Sequence, residues 1–281
     1  MSDSLKISLI VPTYNRTENT RAFIKAIIKG HQDELHEIIF TDDGSSEDQV
    51  EVLSDFKDEL KIPCLFVSQE DRGFRLARCR NNGVNYMSGD YVCFLDQDII
   101  PSPGYFHEIK KYARPDIFLI SRTLYTTSEQ KEKILAGMDN DYLMGIRNMD
   151  RGYLNRTVRK DFIYYLGKKL FIGDRRPKLK GMAFSLFKDK YELVNGFDES
   201  FIGWGLEDDD FGRRLYLARV IGRNISHKAW TYHLWHEPAP TKTDRPNRER
   251  YGSKVYNRNN IRPPQGLNQE RGPEVKLIRI K

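Results

Sequence analysis

At 281 residues, 39% hydrophobic and 12% aromatic, the chain can bury one large core and an appended unit, and it reads as globular and soluble. Its longest early apolar run, Ile7 to Val11, is broken by Ser8 and stopped by Pro12, too short for a membrane span and without a signal peptide's charged start, so a cytoplasmic protein is expected. A net charge of +6 and a pI near 9.0 suit nucleic acid, anionic lipid or a phosphorylated substrate, and charge alone does not choose among them.

In chain order, Lys6 to Val11 reads as a buried strand and Thr20 to Gly30 as a helix that Gly30 ends. Glu37 to Thr41 gives a second strand. Ser46 and Gln49 then have capping-box spacing ahead of Val50, Leu53, Phe56 and Leu60 at helical intervals. A strand at Pro63 to Ser68, a helix at Arg75 to Met87 and a strand at Asp90 to Leu95 complete an open, mainly parallel sheet. Ligands of such sheets bind beyond the carboxyl ends of the strands. From 122 to 178 the periodicity weakens and Lys and Arg multiply, with Ile163 to Leu170 as a short amphipathic candidate. Organised sequence resumes at Gly181 to His236, and the last 45 residues read as a basic, extended tail ending in an LIRI strand. Cys64, Cys79 and Cys93 lack CxxC spacing and are expected to be reduced thiols, with neither disulfide nor zinc.

Acidic residues crowd at 42–43 and 207–210 and basic ones at 147–180 and 242–262, a metal-bearing pocket in a basic frame. In FLDQD, Asp96 and Asp98 stand two apart at a strand end and share a face; unless a cation neutralises them they are costly together, and their oxygens suit Mn²⁺ or Mg²⁺ on a diphosphate. Two solvated acids on a surface loop are the bland alternative. In YHLWHEP, His233 and His236 lie three apart, within reach of one metal if the segment turns; with Asp98 they form a mixed oxygen and nitrogen set that favours Mn²⁺. A core or surface role is the alternative. In GWGLEDDDF, Trp204 offers a flat wall for a sugar between Gly203 and Gly205, and four acids follow that also suit the first turn of a helix through Phe211, Leu215 and Leu217. Asp42 and Asp43 in FTDDGSS either cap a turn or present an acid to a uracil imide; Pro12, Tyr14 and Arg16 either end a strand or wall a nucleotide.

PTYNR, TDDGS, RGFRLARCRNNG, FLDQD, KGMAFSLFKDKYELVNGFDE and GWGLEDDDFG, in this order, resemble the family 2 glycosyltransferases over residues 6–104 and 180–238. Residues 181–215 are similar to the C-terminal catalytic segment of β-1,4-galactosyltransferases and bacterial chondroitin polymerases. The resemblance implies a GT-A fold of the α/β class: a Rossmann-like, mainly parallel central sheet flanked by helices, with a basic insertion and an extended tail. It implies a nucleotide-sugar-binding half at 1–121 and a catalytic half at 180–238; the basic insertion at 122–179, read as the acceptor side, and the tail at 239–281 lie outside the resemblance.

By the same resemblance Asp43 holds the uracil, Pro12 and Arg16 flank the nucleotide, with Tyr14 kept beside them from the strand-end reading, Asp96 approaches the ribose, and Arg80 with Asn81 lies near the donor. Asp98, His236 and His233 become the metal ligands, with His236 the firmer of the two imidazoles; Trp204 packs on sugar, Glu207 binds hydroxyls and Asp208 is the general base. The implied reaction transfers a hexose or N-acetylhexosamine from a UDP-sugar to a saccharide acceptor with inversion, at the inner face of the cytoplasmic membrane, for a surface glycan such as lipopolysaccharide, O-antigen or capsule. A lipid-linked acceptor places the basic tail against anionic membrane, and no nucleic acid is expected. Gln97 within the metal motif and Leu206 beside the sugar depart from the family pattern and leave the donor open. Two rivals stand beside this reading: a nucleotide-sugar-forming nucleotidyltransferase, which PTYNR disfavours in place of a glycine-rich start, and a basic protein that binds nucleic acid or anionic membrane.

Overall fold

The computed structural model describes residues 5–136, 140–172, 175–237 and 247–281. β1 (Ile7–Thr13) is buried along its whole length, as a strand covered on both faces must be. It runs two residues past Val11 because Pro12 and Thr13 stay in register with Thr41 and Asp42. α1 (Thr17–Gly30) begins a turn before Thr20 and buries Ala22, Phe23, Ile24 and Ile27. A 3-10 turn (Gln32–Glu34) leads into β2 (Glu37–Asp42), again fully buried.

α2 (Gln49–Ser54) corrects the expected capping box. Asp48 is its cap and accepts from the Glu51 N–H at 2.9 Å, while the Ser46 N–H and hydroxyl are drawn away to Asn15 Oδ1. The helix also stops six residues short of Leu60, although Phe56 and Leu60 are buried just beyond it. β3 (Cys64–Ser68), α3 (Leu76–Tyr86) and β4 (Tyr91–Leu95) lie within their expected ranges. Then follow β5 (Ile99–Pro101), α4 (Tyr105–Tyr112), β6 (Ile117–Ile120), β7 (Thr123–Tyr125) and α5 (Ser128–Leu135).

α6 (Asn140–Lys169) is a helix of 30 residues where the sequence suggested one short amphipathic piece. β8 (Ala183–Phe187), α7 (Lys188–Leu193), α8 (Glu207–Leu217), β9 (Ile221–Asn224), β10 (Thr231–His233), α9 (Asn247–Ser253) and β11 (Lys276–Arg279) complete the described elements. Leu154, Asp161 and Tyr165 seat α6 on the protein. Asp161 is held there by Arg122 at 2.6 Å and by Asn224, on β9, at 2.8 Å.

The main sheet has the order β11-β3-β2-β1-β4-β8-β6-β9. β3, β2, β1 and β4 are mutually parallel, β8 runs against them, and β11 adds an antiparallel edge. Strand order reverses at β1, between β2 and β4, so a crevice opens beyond the carboxyl ends of these strands. A small sheet, β5-β10-β7, sits beside that crevice; β10 pairs antiparallel with β5 and sets His233 opposite Ile99, next to Asp98.

Residues 239–246 of the tail, like 137–139 and 173–174 of the basic stretch, lie outside the described residues. From Asn247 onward the tail folds back on the core. Arg271 grips Glu199 through two bonds of 2.9 and 2.7 Å, and β11 pairs with β3. All three cysteines are free and buried. Among the described residues no helix is long and apolar enough to cross a membrane.

Candidate active site

Three strand ends supply the crevice. From β4 the chain turns at Asp96 and enters β5, and β5 carries β10 beside it, so the Leu234 N–H bonds the Asp98 carbonyl at 2.8 Å. This pairing joins residues 136 apart in sequence. Asp98 Oδ2 lies 3.3 Å from His236 Nε2 and 3.7 Å from His233 Nε2, and one ligand atom from each of the three residues falls within 4.8 Å of the others.

The donor set fits a divalent cation. His236 Nδ1 sits 2.7 Å from the Glu237 carbonyl, which assigns the proton to that nitrogen and leaves the Nε2 lone pair facing Asp98. Two lone-pair-bearing atoms 3.3 Å apart need a proton or a metal between them. Burial alone would raise the Asp98 carboxyl, but once the imidazoles carry a second proton, a hydrogen bond from His236 and the charges of His233, His236 and Arg16 hold it below the usual range. Arg16, in the left-handed region at φ 56°, directs its guanidinium to within 4.0 Å of Asp98 from the end of β1.

On the other side of Asp96 lies a cluster built on one buried cation. Arg80, from α3, is 1% exposed; its Nη2 donates to Asp96 Oδ1 at 3.0 Å and to the Gly181 carbonyl at 2.9 Å, while Nη1 stands 3.5 Å from Glu207 Oε1. The Gly181 N–H in turn donates to Asp208 Oδ2 at 3.1 Å. A hydrogen-bonded chain thus links Asp96 to Asp208. A Cβ at Gly181 would come within 3.2 Å of both Arg80 nitrogens and 3.3 Å of the Asp208 side chain, so glycine permits the approach.

Burial raises the Glu207 carboxyl to about 7, reinforced by the Asp208 charge and opposed by Arg80; it raises Asp96 to about 6. Asp208 is raised as well, by burial first and then by the neighbouring Asp209 charge. The four acids of GWGLEDDDF separate cleanly. Glu207 and Asp208 face Arg80 and Gly181, whereas Asp209 reaches out to Lys178 at 3.4 Å. Asp210 turns into the core against Arg214, Lys254 and Tyr256. They form the first turn of α8, as the helix reading expected.

Beyond the end of β2, Asp43 is buried, accepts from Gln69 at 2.5 Å and from the Arg75 N–H at 2.7 Å, and is raised by desolvation to about 6. Asp42 instead builds the turn, accepting from Thr13, Gly44 and Ser45. Pro12 is buried in β1. Tyr14 and Trp204 remain 43% and 42% exposed at the crevice, and the Tyr14 hydroxyl donates to Asp71 at 3.1 Å.

Three positioning residues escaped the sequence reading. Gln97, between the two aspartates, donates to the Tyr14 and Asn15 carbonyls at 3.2 Å each and accepts from the Tyr14 N–H, tying the β1 loop to the β4 end. Its departure from the metal motif was the available signal. Gly181, the residue that lets Arg80 and Asp208 close together, was visible only as the glycine of KGM. Asn247, from α9, donates to the carbonyls of Gly203 at 3.2 Å and Gly205 at 2.9 Å and so holds the Trp204 loop, and no sequence signal marks it.

The sequence matches the family model described as glycosyl transferase family 2 over residues 8–173, and the model described as N-terminal domain of galactosyltransferase over residues 168–237. Chondroitin synthase of Escherichia coli is 27% identical over 255 residues, covering 85% of this chain and 36% of its own length. The chain spans about half, or less, of the length of the curated relatives it matches. Among solved structures, TarS of S. aureus (residues 1–349, in complex with UDP-GlcNAc) superposes with a TM-score of 0.59 at 16% identity, over 84% of this chain and 60% of that one. The mannosyltransferase PcManGT of Pyrobaculum calidifontis, in complex with GDP-Man and Mn²⁺, gives 0.57 at 14%, over 84% and 58%. The shared architecture is the GT-A fold.

Proposed function

This chain belongs to glycosyl transferase family 2, and from that premise we propose that it is an inverting, metal-dependent enzyme moving a hexose or N-acetylhexosamine from a UDP-sugar to a saccharide acceptor. One observation carries the reading. Asp98, His233 and His236 converge at the strand-end crevice, and a buried Arg80 joins Asp96 there to Glu207 and Asp208.

Asp98, His233 and His236 would hold Mn²⁺ or Mg²⁺, which when bound supplies Lewis-acid charge to the leaving diphosphate. Arg16 adds a guanidinium on the same side. Asp43, with Gln69 behind it, takes the uracil, and Tyr14 walls the nucleotide. Trp204 offers its exposed ring to the sugar from a loop that Asn247 fixes. Asp208 takes the acceptor hydroxyl's proton as that oxygen bonds to the anomeric carbon. The bond from that carbon to the diphosphate breaks, and its electron pair leaves with UDP. A single displacement of this kind inverts the anomeric centre. Burial and the Asp209 charge raise Asp208, which strengthens it as a base, and Glu207 receives acceptor hydroxyls. The acceptor we assign is the growing end of a bacterial-type surface glycan on the cytoplasmic side of the membrane.

A UDP-sugar hydrolysis panel with Mn²⁺ and with chelator tests the reading. One donor should be preferred, and chelation should abolish turnover until Mn²⁺ is restored. Turnover indifferent to chelator defeats the metal assignment, and pyrophosphate release from UTP and a sugar 1-phosphate defeats the transfer itself.

A further inference from the structure

The end of α6 carries a face that neither the crevice nor the core uses. Tyr165 and Asp161 turn inward, but Phe162, Ile163, Leu166 and Leu170 point out at 46, 66, 41 and 65% exposure, followed by Phe171 at 86% and Ile172 at 67%. Helical spacing puts the first four along one side, away from Asp161, with the Phe162 ring at its margin stacked on Tyr165 at 6.3 Å. The helix ends with Phe171 in the left-handed region at φ 58°, and the Ile172 N–H closes on the Gly167 carbonyl at 2.7 Å. Glycine fills that stop without strain. Here the position holds the most exposed large apolar side chain among the described residues.

Arg159, Lys160, Lys168, Lys169 and Arg175 stand close to these side chains in sequence; Lys169 also makes an exposed pair with Asp116 at 3.7 Å, and Arg175 donates to the Tyr164 hydroxyl at 3.4 Å. From residue 152 to 172 the sequence has one acid, Asp161, and it is buried against Arg122. We propose that this face docks on an anionic phospholipid bilayer, with the apolar row entering the interface and the basic rim meeting lipid phosphates. Charge selects this occupant. A second copy of the chain would bring two basic rims together, whereas an anionic membrane complements both the rim and the apolar row. The tail is a weaker candidate, because Lys254, Arg262 and Arg271 are engaged within the protein. The proposal does not depend on the transferase reading.

The test is co-sedimentation of the full chain with vesicles of equal parts phosphatidylglycerol and phosphatidylcholine, against phosphatidylcholine alone. Binding is expected only to the anionic vesicles and should weaken as salt rises. The triple variant Leu170→Ser, Phe171→Ser, Ile172→Ser should lose about tenfold or more of that binding, with its urea midpoint unchanged because these side chains are exposed. Charge reversal by Lys168→Glu and Arg175→Glu should cost at least as much, at about fivefold for each cation removed. Equal binding to both vesicle types, unchanged binding by both variants, or loss caused instead by Lys276→Glu and Arg279→Glu overturns the proposal. So does a parent chain that binds no vesicles but forms a dimer that the triple variant disperses.

Discussion

Asp208→Asn should lower turnover about a hundredfold or more while donor binding persists, because the substitution removes the group that receives the acceptor's proton and little else. The side chain already accepts two backbone N–H bonds, from Gly181 at 3.1 Å and Asp209 at 2.8 Å. An amide oxygen and nitrogen in place of two carboxylate oxygens can satisfy only one of these well, so a stability loss of about 1 kcal/mol accompanies the change. The discriminating measurement pairs steady-state turnover with calorimetry of UDP binding. Normal turnover would pass the role of base to Glu207, the other acid facing Arg80.

Arg80→Met is the second large effect, and it falls on stability. Removing a fully buried guanidinium leaves Asp96, Glu207 and Asp208 facing one another without a counter-charge, which costs about 3–5 kcal/mol for a broken buried pair. The pH dependence identifies the cause. Even beside Arg80 the Glu207 carboxyl sits near 7, above its unfolded value, so the native state holds a proton that the unfolded chain releases between roughly pH 4.5 and 7. Stability from this group therefore falls as pH rises through that window. Without Arg80 the folded value climbs further, so urea midpoints of the variant should recover towards pH 5 relative to the parent. Arg80→Lys keeps the charge but not the fork and should fall between the two. A midpoint equal to the parent's at pH 7 would mean that the cluster tolerates its own charge.

The strand ends were legible in the sequence because each parallel strand is a short apolar run that stops at its functional residue, and Asp96, Asp98 and Asp43 stand where those runs end. The two histidines were legible as a spaced pair. Their meeting with Asp98 depends on β5 and β10, strands of three residues each, too short to leave a pattern. Arg80 illustrates a different loss. Its place on a helix beside the donor segment was visible, but its burial depends on Gly181, 101 residues away. α6 stayed hidden because its inward face includes Asp161, a polar residue where the helical period calls for an apolar one. Arg122 and Asn224 satisfy that carboxylate only once the chain is folded. At α2, Asn15 from a distant loop took the serine that local spacing had assigned as the cap.

The central claim concerns one cation, and Mn²⁺ titration followed by electron paramagnetic resonance in the presence of UDP addresses it most directly. The parent chain should bind a single Mn²⁺ per molecule, with its signal altered by the diphosphate, and both Asp98→Asn and His236→Ala should weaken that binding severalfold to abolition. The same stoichiometry and affinity in these variants as in the parent would contradict the account.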